Sequence, residues 1–168
     1  MTSLRTRIAV PTVEDTRAFG AELARILRAG DLIILTGPLG AGKTALAQGI
    51  GAGLRVLGEV MSPTFVIARV HRPNVAAGGT VPMVHVDAYR LGLVNDPRAE
   101  VDDLDLDADV DDSVTLVEWG EGLVEQLSEA YLEVRITRHD DETRDVELIG
   151  HAGDWSDRLL AAPTDRPG

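Results

Sequence analysis

At 168 residues, with no cysteine and a formal net charge of −12, the chain suits one domain with a single substantial core, expected over 1–162 with a frayed tail at 163–168. The charge argues against a broad nucleic-acid-binding face, and the lack of cysteine excludes disulfides and thiolate metal sites. No uncharged apolar run is long enough to span a membrane and the amino terminus lacks a signal-peptide core, so the expected location is cytoplasmic.

Thr6–Val10 reads as a short strand stopped by Pro11. Thr12 follows as a helix N-cap, with Asp15 at the capping-box position. Phe19, Leu23, Ile26 and Leu27 recur at helical spacing and predict a helix over Val13–Ala29. Arg25 and Arg28 then complement the dipole in its last turns, and Gly30-Asp31 is the stop. Leu32–Thr36 is a buried strand. Directly after it, Gly37-Pro38-Leu39-Gly40-Ala41-Gly42-Lys43-Thr44 fits the phosphate-loop pattern G-x-x-x-x-G-K-[ST]. A helix to about Leu54 follows, its end weakened by Gly49, Gly51 and Gly53.

The chemistry explains that spacing. Glycines allow positive φ and a close approach of backbone to ligand, so successive N–H groups form an anion nest. The helix N-terminus adds free N–H groups and the positive end of its dipole. Lys43, the only lysine in the chain, supplies a point charge for β- and γ-phosphate oxygens. The Thr44 hydroxyl is a hard oxygen ligand for Mg²⁺.

Further along, Phe65–Val70 alternates as a strand, 72–82 is a loop, and Met83–Asp87 is a strand antiparallel to the first of these. Leu91–Pro97 is a turn region. Thr115–Glu118 is a short buried strand and Glu121–Ala130 a helix. Tyr131–Thr137 and Arg144–Ile149 alternate as the arms of a hairpin, and Ser156–Ala162 forms a last short helix. The acidic stretch 100–112 places Asp103, Asp105 and Asp107 at the first positions of a calcium loop. Ala108 and Val114 stand where that loop needs glycine and glutamate, so a solvated face able to meet a basic partner is the better reading. His71, His85, His139 and His151 show no ligand pattern and read as ordinary surface or core residues.

A phosphate-loop enzyme needs acids near its metal, at the carboxyl ends of strands beside the loop strand. Two strands end in acid, at Asp87 and Glu118. Either carboxylate at such a place holds Mg²⁺, directly or through water, or orients the water that attacks the γ-phosphate. Thr64, in the turn Ser62-Pro63-Thr64, is a hydroxyl with reach to the γ-phosphate or the metal. Trp119 reads as packing or as a shield over the metal site.

Together, Gly37 to Thr44, Ser62-Pro63-Thr64, His85-Val86-Asp87-Ala88-Tyr89-Arg90-Leu91 and Glu118-Trp119 resemble the signature of the TsaE (formerly YjeE) family, bacterial ATPases of tRNA threonylcarbamoyladenosine synthesis. The resemblance implies a single-domain α/β P-loop fold with a mixed, largely parallel central sheet flanked by helices, and it implies ATP and Mg²⁺. It assigns Thr44 and Glu118 to the metal, and Lys43 with the loop backbone (Gly37, Pro38, Leu39, Gly40, Ala41 and Gly42) to the phosphates. Asp87 serves hydrolysis, Thr64 senses the γ-phosphate, and Thr16 lies near the adenine. Ala45 closes the binding stretch where many members carry a second hydroxyl that touches the α-phosphate. The resemblance further implies action with TsaD-like and TsaB-like proteins. ATP hydrolysis, slow when the chain is isolated, then drives or resets that complex, and tRNA is met only through it.

Two other functions fit the residues. A small-molecule kinase needs an acceptor pocket and an arginine-bearing lid; Arg69, Arg72 and Arg90 are available, but no arginine-rich segment is evident. A binding module that uses nucleotide as a conformational signal needs no significant turnover. A GTPase is disfavoured, since there is no N-K-x-D motif and the only lysine is already in the loop.

Overall fold

A computed structural model describes residues 5–37, 42–58, 60, 68–87, 112–118, 130–141 and 143–161. The Ser62-Pro63-Thr64 turn, Phe65–Ile67, Leu91–Pro97, the acidic stretch but for Asp112, Trp119, the helix expected from Glu121, and the tail lie outside the described residues.

The elements begin with β1 (Arg5–Val10) and α1 (Val13–Leu23). Thr12 caps α1 in an extended conformation. Its hydroxyl oxygen accepts from the Asp15 N–H at 3.1 Å while the Asp15 carboxylate accepts from the Thr12 N–H at 3.2 Å. The reciprocal pair satisfies two helix-end donors. Thr12→Ala is expected to cost about 1 kcal/mol, read as a lower urea midpoint at unchanged m-value.

The helix is shorter than the periodicity predicts. It ends at Leu23, tightens into a 3₁₀ turn over Ala24–Ile26, and Leu27 is already extended. The chain turns because the Arg28 N–H donates to the Asp31 carboxylate at 2.6 Å, and buried Leu27 follows the core. Arg25 and Arg28 therefore lie beyond α1, and Arg28 pairs with Asp154.

The central strands are β2 (Leu32–Thr36), β4 (Met83–Asp87), β5 (Val114–Glu118) and β6 (Tyr131–Arg138). All are mutually parallel, in the order β6-β2-β5-β4. Antiparallel strands close both margins. On one side β7 (Arg144–His151) pairs with β6 and then with β1; on the other β3 (Ala68–His71) pairs with β4. The seven-stranded sheet is thus mixed, with its parallel part in the centre. β2 and β5 are buried at every position, as strands covered on both faces must be.

On one face Ile33, Leu35, Leu116, Leu132, Val134, Val146 and Leu148 join Leu23 and Leu27, together with Leu46 and Ile50 of α2 (Lys43–Leu54), in the main core. α3 (Trp155–Ala161) covers the same core near β7. Arg158 of α3 stacks 4.2 Å from the Trp155 ring centroid and donates to both oxygens of Asp31 at 2.9–3.0 Å. Burial pushes the Asp31 carboxyl up, opposed by the Arg28 N–H and the Arg158 guanidinium.

α2 runs to Leu54, with Gly49, Gly51 and Gly53 offering no side chain in its last turns. Gly49 lets α2 lie against the α1 backbone: a Cβ there would come within 2.9 Å of the Arg17 Cα and closer still to its carbonyl oxygen. One at Gly20 would come within 2.6 Å of the Leu46 oxygen. The contacts step along both helices in the same sense, from Thr16 against Gly42 to Ala21 and Ala24 against Gly53. α1 and α2 therefore run parallel, with both N-termini at one end of the sheet. No helix among the described residues is long and apolar enough to cross a membrane.

Candidate functional site

Three neighbouring parallel strands, β2, β5 and β4, finish at the same edge. Leu35 lies opposite Glu118, and Glu118 opposite Asp87. The end of the loop strand thus sits one strand from Glu118 and two from Asp87. This is the carboxyl edge at which α/β sheets hold ligands.

The loop leaves β2 at Gly37 and re-enters at Gly42, with Pro38, Leu39, Gly40 and Ala41 outside the described residues. Gly42 is the N-cap of α2 at φ 112°, left-handed backbone that a side chain would strain. Lys43 opens the helix, 6% exposed, and its Nζ donates to the Gly37 carbonyl oxygen at 2.7 Å. The ammonium is thus folded back onto Gly37, the residue at which the chain leaves β2. Thr44 is half-buried in the first turn and Ala45 is buried.

Thr16 is fully buried, donates to the Thr12 carbonyl oxygen at 3.2 Å and sets its methyl group against Gly42. It braces the loop from behind. Arg144, at the start of β7, brings its guanidinium to the same glycine: a Cβ on Gly42 would meet Arg144 Nε at 3.5 Å. Arg138 stands opposite Arg144 in the hairpin register. Basic side chains are thus gathered at this edge of an acidic chain. Neither arginine was a candidate from the sequence, because only the packing of the hairpin beside the loop reveals them.

Glu118 is 4% exposed, and its Oε2 lies 2.7 Å from Nε2 of fully buried His85. His85 is thus a fully buried core residue whose ring meets the candidate acid Glu118. The signal was available in principle, since His85 and Asp87 are two apart on one strand and share a face. Reading it needed the β4–β5 register. The backbone of Asp87 is placed by that register, whereas Thr64 lies outside the described residues.

Among the described residues no three His, Asp or Glu side chains gather into a ready-made metal cage. Magnesium does not need one. It keeps several waters and takes one or two protein oxygens plus phosphate oxygens, a donor set that the Thr44 hydroxyl and the Glu118 carboxylate fit.

Comparison with known proteins identifies the family. Residues 10–146 match the family model described as threonylcarbamoyl adenosine biosynthesis protein TsaE. The chain is 54% identical to the tRNA threonylcarbamoyladenosine biosynthesis protein TsaE of Streptomyces coelicolor, over 83% of this chain and 93% of the relative. It is also 54% identical to the protein of that name from Mycobacterium tuberculosis, over 77% of each, and 35% identical to that of Bacillus subtilis, over 87% and 85%. The crystal structure of Bacillus subtilis YdiB superposes with a TM-score of 0.76 at 25% identity, covering 96% of this chain and 95% of that one. With a phosphate loop, two acid-ended strands beside it and a family match over most of its length, the chain belongs to the TsaE family of threonylcarbamoyladenosine biosynthesis proteins.

Proposed function

We propose that this chain is a Mg²⁺-dependent ATPase that serves threonylcarbamoyladenosine formation on tRNA, next to the anticodon, from the cytoplasm. It drives or resets a complex of TsaD-like and TsaB-like proteins and meets tRNA only through them. The observation that supports this reading is the common edge of β2, β5 and β4, where Glu118 ends the strand next to β2 and Asp87 ends the strand beyond it.

Each residue has a task in that reaction. The backbone of Gly37, Pro38, Leu39, Gly40, Ala41 and Gly42 cradles the phosphates. Lys43 leaves the Gly37 carbonyl for β- and γ-oxygens. Thr44 and Glu118 hold the metal, which when bound neutralises charge on the β- and γ-phosphates. Asp87 orients the water that attacks the γ-phosphorus, and the bond to the ADP oxygen breaks. Thr64 senses the γ-phosphate. Ala45 closes the cradle without a hydroxyl, and Thr16 supports the loop on the adenine side. Arg144 adds a cation where the nucleotide enters.

Labelled ATP distinguishes this function from a kinase: free phosphate is the expected product, and a phosphorylated small molecule would overturn it. Slow turnover that Glu118→Ala leaves unchanged would favour a nucleotide-dependent binding module. Arg144→Ala is expected to weaken ATP binding about 10-fold, the loss of one charged hydrogen bond of ~1.5 kcal/mol, measured by calorimetric titration.

A further inference from the structure

The His85–Glu118 pair is expensive to build. His85 is fully buried and the Glu118 side chain is 5% exposed, with Nε2 and Oε2 2.7 Å apart. Buried polar pairs of this kind are often no more stabilising than apolar residues of the same volume. The cross-strand partner of His85 on β5 is fully buried Leu116, and two residues before it on β4 lies fully buried Met83. A leucine would suit that environment. Packing alone therefore does not account for an imidazole at this position.

The ring chemistry points toward the carboxylate. Nδ1 of His85 is buried and has no hydrogen-bond partner among the described residues. A buried donor left unmatched is costly, so the proton belongs on Nε2, aimed at Glu118. The register puts the donor underneath the acid. Met83 and His85 share the sheet face of Val114, Leu116 and Glu118, and His85 stands one step below Glu118 in the register.

We propose that His85 is a positioning residue: its Nε2–H fixes the Glu118 carboxylate in the orientation from which it serves the Mg²⁺ delivered with ATP. This rests on Glu118 as a metal ligand. A carboxylate held by a buried ring meets the ion already oriented, as outer-shell partners do in other metal sites.

The test uses Mn²⁺ as the probe, followed by electron paramagnetic resonance on the full chain with a non-hydrolysable ATP analogue. His85→Leu is expected to weaken Mn²⁺ binding about 10–100-fold and to leave metal-free analogue affinity unchanged by calorimetry. His85→Gln, whose amide N–H₂ reaches about as far as Nε2, retains most of the Mn²⁺ affinity. His85→Asn, whose amide is too short, loses it as leucine does, so the Gln–Asn contrast carries the test even if the leucine variant does not fold. In a Glu118→Ala background His85→Leu adds no further loss.

Wild-type Mn²⁺ affinity in folded His85→Leu or His85→Asn would overturn the proposal, and so would a loss additive with that of Glu118→Ala. Unchanged Mn²⁺ affinity in Glu118→Ala alone would remove the ligand assignment and this inference together. A weakened Glu118→Ala beside unaffected His85 variants would remove only the inference.

Discussion

Replacing Lys43 by alanine is expected to lower affinity for ATP by about 10²–10³-fold, the scale of losing one preorganised charge contact, and to abolish turnover. The Nζ donates to the Gly37 carbonyl oxygen at 2.7 Å, and in a phosphate loop this lysine is the charge that meets the β- and γ-phosphates. No other lysine exists to take over. Arginine is not expected to rescue, because a planar fork does not fit a position that is 6% exposed and built for a point charge. Calorimetric titration with a non-hydrolysable analogue reads the loss. A thermal melt close to wild type separates it from unfolding, and normal hydrolysis in the variant would sink the site assignment.

Gly49→Val is the second large effect, and it acts at a distance. The α1 backbone occupies the space that a side chain would need, with Arg17 Cα within 2.9 Å of the position of a Cβ. Both helices must move apart or tilt. Overpacking of this kind costs about 1–3 kcal/mol, which for a chain of this size is a fall of about 2–12 °C in Tm. Nucleotide affinity should fall as well, because Thr16 of α1 braces Gly42 at the head of α2. Gly58→Val, at a glycine with nothing within 4 Å of its Cβ position but with positive φ, separates strain from crowding. It should lower Tm with little effect on binding. A Gly49→Val variant with wild-type Tm would refute the close packing of the two helices.

The parts of this fold legible in the sequence are those decided by neighbours along the chain. The β2 strand, α2 to Leu54 and the capping box at Thr12 each follow from a local pattern, and these three stand as read. The β6–β7 hairpin followed from alternation on both arms. What was not legible depends on partners distant in sequence. The early end of α1 is set by Asp31 taking the Arg28 N–H, against a continuing helical period. The glycines of α2 read as weaknesses because propensity counts only the helix that they occupy, whereas Gly49 and Gly53 also lie against the α1 segment and Gly51 against Val60. His85 looked ordinary because its partner is 33 residues away on another strand. The acids at Asp87 and Glu118 were legible as strand ends, but their adjacency is a property of the sheet order.

The place of β7 between β6 and β1 has a practical consequence. The family match covers residues 10–146, yet β7 runs from Arg144 to His151. A fragment trimmed to the matched residues would lose nearly all of β1, most of β7 and the whole of α3. β6 would lose its β7 partners over Tyr131–Arg135 and keep them only over Ile136–Arg138, leaving an open edge along most of its length. Such edges recruit other chains. The trimmed fragment should therefore self-associate more readily than the full chain, read by light scattering of the two at equal concentration.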